Sequence, residues 1–137
     1  MTAALNMMFI SCKKENNNTP ECKVNMTSLA GSYKLAALQY KSGATATPVD
    51  YLAYMDACEK DNILVLKSDG TYDSNDGGTV CSPSETSHGT WQVDGNTLTS
   101  DGTLNGTVAS YDCSTLVYYI ENSIKEGDRL TFTLVKQ

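Results

Sequence analysis

Short apolar runs alternate with polar turns along the chain, and this pattern predicts an all-β fold. In Tyr33–Ala37, Ser114–Glu121 and Leu130–Val135 the side chains alternate between two faces, one of which is apolar. The aliphatic run Ile63–Leu66 predicts a strand that is buried on both faces. Further strands are expected around 71–72, 89–93, 97–100 and 107–111.

Tight turns separate most of these strands. Gly70, Gly95, Gly102, Gly106 and Gly127 follow Asp, Asn or Glu between the apolar runs, and glycine accepts the positive φ of a hairpin turn. Strands adjacent in sequence usually pair, which favours an up-and-down antiparallel barrel of about eight strands. Such a barrel is either filled with side chains or holds one small ligand. A two-layer sandwich is the alternative.

One short helix or helical turn is expected within Pro48–Ala57. Pro48 fits a first helical position, and Tyr51, Leu52, Met55 and Cys58 follow at helical spacing. The segment either covers an open barrel end or packs as an ordinary surface helix.

Five side chains are candidates for contacting a barrel ligand: Tyr51, Leu52, Met55, Trp91 and Tyr118. Aromatic side chains can also serve only as core, which is the alternative for Trp91 in particular. Tyr118 and Tyr119 lie on opposite faces of one strand, so one of the two hydroxyls faces the interior and needs a partner there.

Length and charge limit the function further. The 137 residues suffice for one domain and a tail. The net charge of −6 comes from scattered acidic side chains, and no cluster of Lys or Arg is available for phosphates. Nucleic acid is therefore not expected as a partner.

The N-terminus resembles a bacterial lipoprotein signal. Apolar residues Ala3–Ile10 precede Ser11-Cys12, and the Asn-rich stretch that follows has the composition of a flexible tether. The resemblance implies a signal segment at 1–11, a lipidated Cys12 that begins a tether at 12–27, and a barrel domain at 28–137. It places the protein in the cell envelope, where it touches the membrane only through its lipid. The alternative is an ordinary cytosolic N-terminus with a chance cysteine.

If Cys12 carries lipid, four cysteines remain in an exported protein, which favours two disulfides. Four cysteines allow three pairings. We favour Cys58–Cys81, which flanks one hairpin, together with Cys22–Cys113, which ties the tether to the sheet. A metal site or a catalytic cysteine is less favoured, because the chain has no Cys-x-x-Cys and a single histidine, His88.

No catalytic group, metal or cofactor is predicted. Asp73–Gly78 resembles a calcium loop only superficially, since the template requires a glutamate where Ser84 stands. His88 has no nucleophile and orienting acid placed beside it by the sequence. Asp56, Glu59 and Asp61 are interpreted as a solvated helix end rather than a catalytic pair. We therefore expect a protein that is not an enzyme.

Three blocks together carry a family resemblance: the opening Leu29–Leu35, the region Cys58–Cys81 with its Asp-Gly-Thr-Tyr turn, and Gly89–Trp91 followed by Gly95–Leu98. Their order and spacing resemble the lipocalin-like domains of Bacteroidetes-type lipoproteins, with Tyr33 where that family usually has Trp. The resemblance implies a lipocalin-like barrel on a lipid anchor and no particular activity.

Two functions are compatible with this sequence. The first is a lipid-anchored envelope module that holds a small apolar or amphipathic molecule in its barrel. The second is a solid-core interaction domain that contacts a protein or glycan through loops such as Asp73–Ser87.

Overall fold

The computed structural model describes residues 22–80, 82, 86–102 and 104–137. Cys12 and Cys81 lie outside these residues, as do the predicted signal segment and most of the tether. The described part contains nine strands, two four-residue helices and one 3-10 turn at Leu52–Tyr54. The helices are α1 (Met26–Leu29) and α2 (Ala57–Lys60). The strands are β1 (Gly31–Lys41), β2 (Val49–Asp50), β3 (Ile63–Leu66), β4 (Thr71–Asn75), β5 (Ser87–Asp94), β6 (Thr97–Ser100), β7 (Gly106–Tyr111), β8 (Thr115–Glu121) and β9 (Arg129–Lys136).

The strands form one antiparallel meander that closes on itself. From β3 to β9 each strand pairs with the next in sequence, and β1 pairs with both β3 and β9. Eight strands therefore form a closed barrel, and β2 is an extra strand on the edge of β1. The predicted all-β, up-and-down, lipocalin-like fold is confirmed.

β1 closes the barrel because its two edges pair with different strands, β3 on one side and β9 on the other. Its first residues, Gly31–Lys34, pair with β3, whereas most of the strand pairs with β9. The pairing shifts register between Leu35 and Ala37, which marks a bulge in β1. Bulges increase local twist and bending, and both help a sheet to close.

The alternation in sequence becomes an inside and an outside of the barrel. Among the most completely buried side chains are Tyr33, Leu66, Leu98 and Leu116, which come from four different strands. Gly70, with a φ of +93°, makes the predicted turn between β3 and β4. The core thus lies along the barrel axis.

The segment Pro48–Ala57 contains the predicted helical turn, the 3-10 turn at Leu52–Tyr54, but no continuous helix. Val49–Asp50 is strand β2, a 3-10 turn follows, and helix α2 begins only at Ala57. The Tyr51 N–H donates to the carbonyl oxygen of Leu38 at 2.8 Å, and the Tyr51 ring stacks on Tyr40 at 5.1 Å. Contacts with β1 therefore determine the conformation of this segment more than its helical spacing does.

Two further expectations need correction. Helix α1, capped by Asn25, which accepts from the Ser28 N–H at 2.8 Å, makes a second helix where one was expected. The strand Ile63–Leu66 is not buried on both faces: only Leu66 is buried, since Ile63 and Val65 lie on the outer face and Leu64 borders an internal space.

Candidate functional site

One end of the barrel, which we call the closed end, carries α1, the β7–β8 turn and the end of β9. The Tyr33 hydroxyl donates to the Leu29 carbonyl at 2.7 Å, and Leu29 and Tyr33 are fully buried. Lys136 Nζ donates to the Tyr111 hydroxyl at 2.8 Å and to the Ser28 carbonyl at 3.0 Å. Burial, together with the neighbouring Tyr111 hydroxyl, raises the pKa of Tyr33. These contacts fasten α1 across the closed end.

A disulfide strengthens the same end. Cys22, before α1, is bonded to Cys113 in the β7–β8 turn, which confirms this predicted pair. Cys58 is also disulfide-bonded. Its predicted partner, Cys81, lies outside the described residues.

A cavity of about 180 Å³ lies inside the barrel. Tyr118 and Phe132 stack in its wall, with ring centroids 4.8 Å apart, because they are direct cross-strand partners on β8 and β9. Burial raises the pKa of Tyr118, so its hydroxyl stays neutral. The apolar and aromatic wall consists of Tyr33, Leu35, Leu64, Tyr118, Phe132 and Leu134.

Three polar side chains complete the lining: Glu59, Asn62 and Ser74. Glu59 and Asn62 come from α2 and the residues that follow it, at the end of the barrel opposite α1, which we call the open end. A capping box fixes Glu59: its Oε1 accepts the Asp56 N–H at 3.0 Å, while the Asp56 side chain caps the helix in return. The cavity thus has an apolar wall and a polar rim.

A shallow groove of about 540 Å³ lies outside the barrel and is lined by Tyr40, Val49, Tyr51 and Tyr54. Tyr51 meets Tyr54 edge-on at 6.1 Å, and Tyr54 is 77% exposed. The Tyr40 hydroxyl donates to Asp128 at 2.8 Å, and this hydrogen bond is the main reason that the pKa of Tyr40 rises to about 12.

The structure separates the five side chains predicted to contact ligand. Tyr118 lines the internal cavity, and Tyr51 lines the external groove. Trp91 is buried in the core, where its Nε1 donates to the Lys67 carbonyl at 2.9 Å, and it does not line the cavity. Leu52 and Met55 are half-buried and line neither space. Ligand contact by these five residues stays a prediction.

Most of the cavity lining was missing from the predicted site. Leu35, Phe132 and Leu134 carry a usable signal, since the alternation in β1 and β9 already points them inward. Glu59 carries none, because its position over the barrel depends on where α2 packs. The sequence pattern therefore indicates the wall of the cavity but not its rim.

The other candidate groups are not brought together. Asp73 belongs to β4, and its carboxylate forms an ion pair with Lys67 Nζ at 2.9 Å. His88 is the cross-strand partner of Asp73 on β5, and its side chain is exposed. Within the described residues, no three His, Cys, Asp or Glu side chains form a cluster that could hold a metal ion.

The helices in the described part of the chain are too short or too polar to cross a membrane.

Comparison with known proteins agrees with the architecture. Neither curated proteins nor solved structures gave a match to the chain. A family model for the lipocalin-like domain matches residues 29–132, a span that runs from the last residue of α1 into β9. Since this match covers most of the chain and the barrel is closed as the match implies, the protein belongs to the lipocalin-like domain family.

Proposed function

We propose that this protein is a lipid-anchored binding module of a bacterial cell envelope, which holds a small apolar or amphipathic molecule inside its barrel. The observation that carries the binding part is the internal cavity of about 180 Å³. A cavity of roughly 150 Å³ with an apolar lining is large enough for benzene, so this one suits a molecule of about one ring with a short arm.

The character of the lining supports the same proposal. Ligand sites combine a mostly apolar wall with a few polar groups that orient the ligand. Here Leu35, Leu64 and Leu134 supply apolar surface, whereas Asn62 and Ser74 supply hydrogen-bonding groups. An amphipathic molecule would place its apolar part against the leucines.

Binding can be tested with a neutral one-ring probe, 2-phenylethanol, followed by methyl NMR of the leucines that line the cavity. We expect saturable shifts of the Leu35, Leu64 and Leu134 methyl groups. Leu64→Phe, which fills the cavity, should weaken binding by about tenfold or more. Val65→Phe, on the opposite face of the same strand, is the matched control and should change the affinity little. A wild-type protein with no saturable shift would contradict the proposal.

The anchor is a separate part of the proposal and rests on the lipoprotein-like Ser11-Cys12 after an apolar run. In a bacterial host, labelled palmitate should enter the wild-type protein and be absent from Cys12→Ala. The wild type should fractionate with membranes and the variant should not. An unlabelled, soluble wild-type protein would refute the anchor without affecting the cavity.

A second candidate function is an interaction domain that contacts a protein or glycan through its loops. The specific observation in its favour is the external groove, where Tyr54 and Val49 are exposed. Retention of an envelope component by the wild type, and its loss in Tyr54→Ala with the cavity probe still bound, would support this candidate.

A further inference from the structure

The side chains that line the internal cavity include a negative charge and no positive charge. Of the nine described residues that line it, Glu59 is the only acid, and none is Lys, Arg or His. The residues beside Glu59 do not neutralise its negative charge within the cavity. Asp56 and Asp61 flank the same helix, and Lys60, half-buried, is not part of the lining. A ligand therefore meets a carboxylate and no cation.

This arrangement discriminates between ligand head groups. A carboxylate ligand would lose its hydration next to Glu59 with no positive side chain to compensate, which is costly. An ammonium group would instead donate a charge-assisted hydrogen bond to the carboxylate of Glu59. Lys136 Nζ already lies 5.8 Å from the centroid of the Tyr33 ring, so the second attraction for a ligand cation comes from the rings of Tyr118 and Phe132.

We infer that the ligand is a small primary amine with one apolar ring. Its ring would pack against the stacked pair Tyr118 and Phe132, and its ammonium group would face Glu59. The inference rests on the proposed binding function and narrows it, because anionic amphiphiles such as fatty acids would be rejected.

Three probes with the same ring and nearly the same length test the head group: 2-phenylethylamine, 2-phenylethanol and 3-phenylpropionate. Each is titrated into the full chain at neutral pH by calorimetry, and the leucine methyl signals confirm that it enters the cavity. We expect the amine to bind about tenfold or more tightly than the alcohol, and the carboxylate to bind most weakly.

Glu59→Gln tests the side chain itself. Glutamine keeps an acceptor for the Asp56 N–H, so the capping box and the position of α2 are preserved. The variant should weaken amine binding by about tenfold and leave the alcohol within about twofold. Glu126→Gln removes the same charge from an exposed position in the β8–β9 turn, and it should change neither affinity.

The outcomes distinguish the proposed binding function from the proposed preference for an amine. Equal binding of all three probes in the cavity, or an unchanged amine affinity in Glu59→Gln, would overturn the amine inference and leave the binding function intact. Failure of all three probes to enter the cavity would overturn the binding function, and the amine inference with it.

Discussion

The two ends of the barrel differ in what their polar side chains border. At the closed end, Tyr33, Tyr111 and Lys136 bond to each other or to α1. At the open end, Glu59 accepts the Asp56 N–H and, together with Asn62, also lines the cavity. A barrel needs only one well-packed end to hold its strands together. The other end is then free to keep internal space.

This contrast predicts that stability and binding are separable. Changes at closed-end residues that do not line the cavity, such as Cys22, Leu29 and Cys113, should lower the free energy of unfolding and leave cavity binding unchanged in the protein that remains folded. Changes at the cavity should affect binding more than stability. Four predictions test this division, from the largest expected effect to the smallest.

The disulfide should matter most. Replacing both Cys22 and Cys113 with Ala removes a cross-link between residues separated by 91 positions. On the chain-entropy model this lowers the free energy of unfolding by about 4.6 kcal/mol. Urea denaturation measures the loss, and the reduced wild type, which also lacks the Cys58 disulfide, shows the effect of losing both cross-links. An unchanged denaturation midpoint would show that the cross-link contributes nothing to the closed end.

Leu29→Ala should have the next largest effect. Leu29 is fully buried beneath α1, so truncation should cost about 3 kcal/mol through lost burial and a new cavity. Leu35→Ala, in the wall of the existing cavity, is the matched comparison. It should cost only about 1 kcal/mol, because its side chain already borders empty space. Equal losses in denaturant unfolding would contradict a difference between the two ends.

Tyr33→Phe should have a smaller effect. It removes the hydroxyl that donates to the Leu29 carbonyl and should cost about 1 kcal/mol. Thermal unfolding measures the change. Tyr54→Phe removes a hydroxyl from an exposed ring and should leave the unfolding temperature unaltered. An unfolding temperature of Tyr33→Phe equal to that of the wild type would mean that this hydrogen bond does not hold α1 in place.

Acid should weaken the β8–β9 turn, which lies at the open end because Arg129 pairs with Lys41, at the end of β1 away from α1. Burial of Asp128 acts to raise the pKa of its carboxyl, but hydrogen bonds from the Lys125, Ser123 and Ile124 N–H groups and from the Tyr40 hydroxyl lower it to about 2, from 3.8. A carboxyl with a lowered folded pKa stabilises the fold above its unfolded pKa, and this stability is lost as the pH falls to the folded value. The loss is therefore expected between pH 3.8 and about 2.

Asp128→Asn tests this expectation through unfolding temperatures measured across that pH range. The variant should be less stable than the wild type near neutral pH, and the difference should shrink as the pH falls. Asp112 is the comparison at the closed end, where the Thr115 and Ser114 N–H groups lower the pKa of its carboxyl. Asp112→Asn should reduce the pH dependence of the unfolding temperature less than Asp128→Asn does. A larger reduction in Asp112→Asn would mean that acid weakens the closed end more than the open end.

Much of the fold followed from local pattern. The alternation in Leu130–Val135 and the turn at Gly70 each depend on a few neighbouring residues, so both were predicted correctly. Within Pro48–Ala57 the helical turn was predicted, but strand β2 was not, because it depends on pairing with the edge of β1, which exists only once the barrel forms. The rim residue Glu59 was missed for the same reason.

The sequence by itself determined an all-β chain, its turns, the inward face of β8 and β9, and one correct cysteine pair. These depend on side-chain periodicity, backbone preference and the small number of pairings that four cysteines allow. Only the tertiary structure decided that β1 closes the barrel with β9, that Trp91 packs in the core, and that Glu59 borders a cavity. Whether a space is filled or left empty depends on how strands from distant parts of the chain pack together, and no local pattern records that.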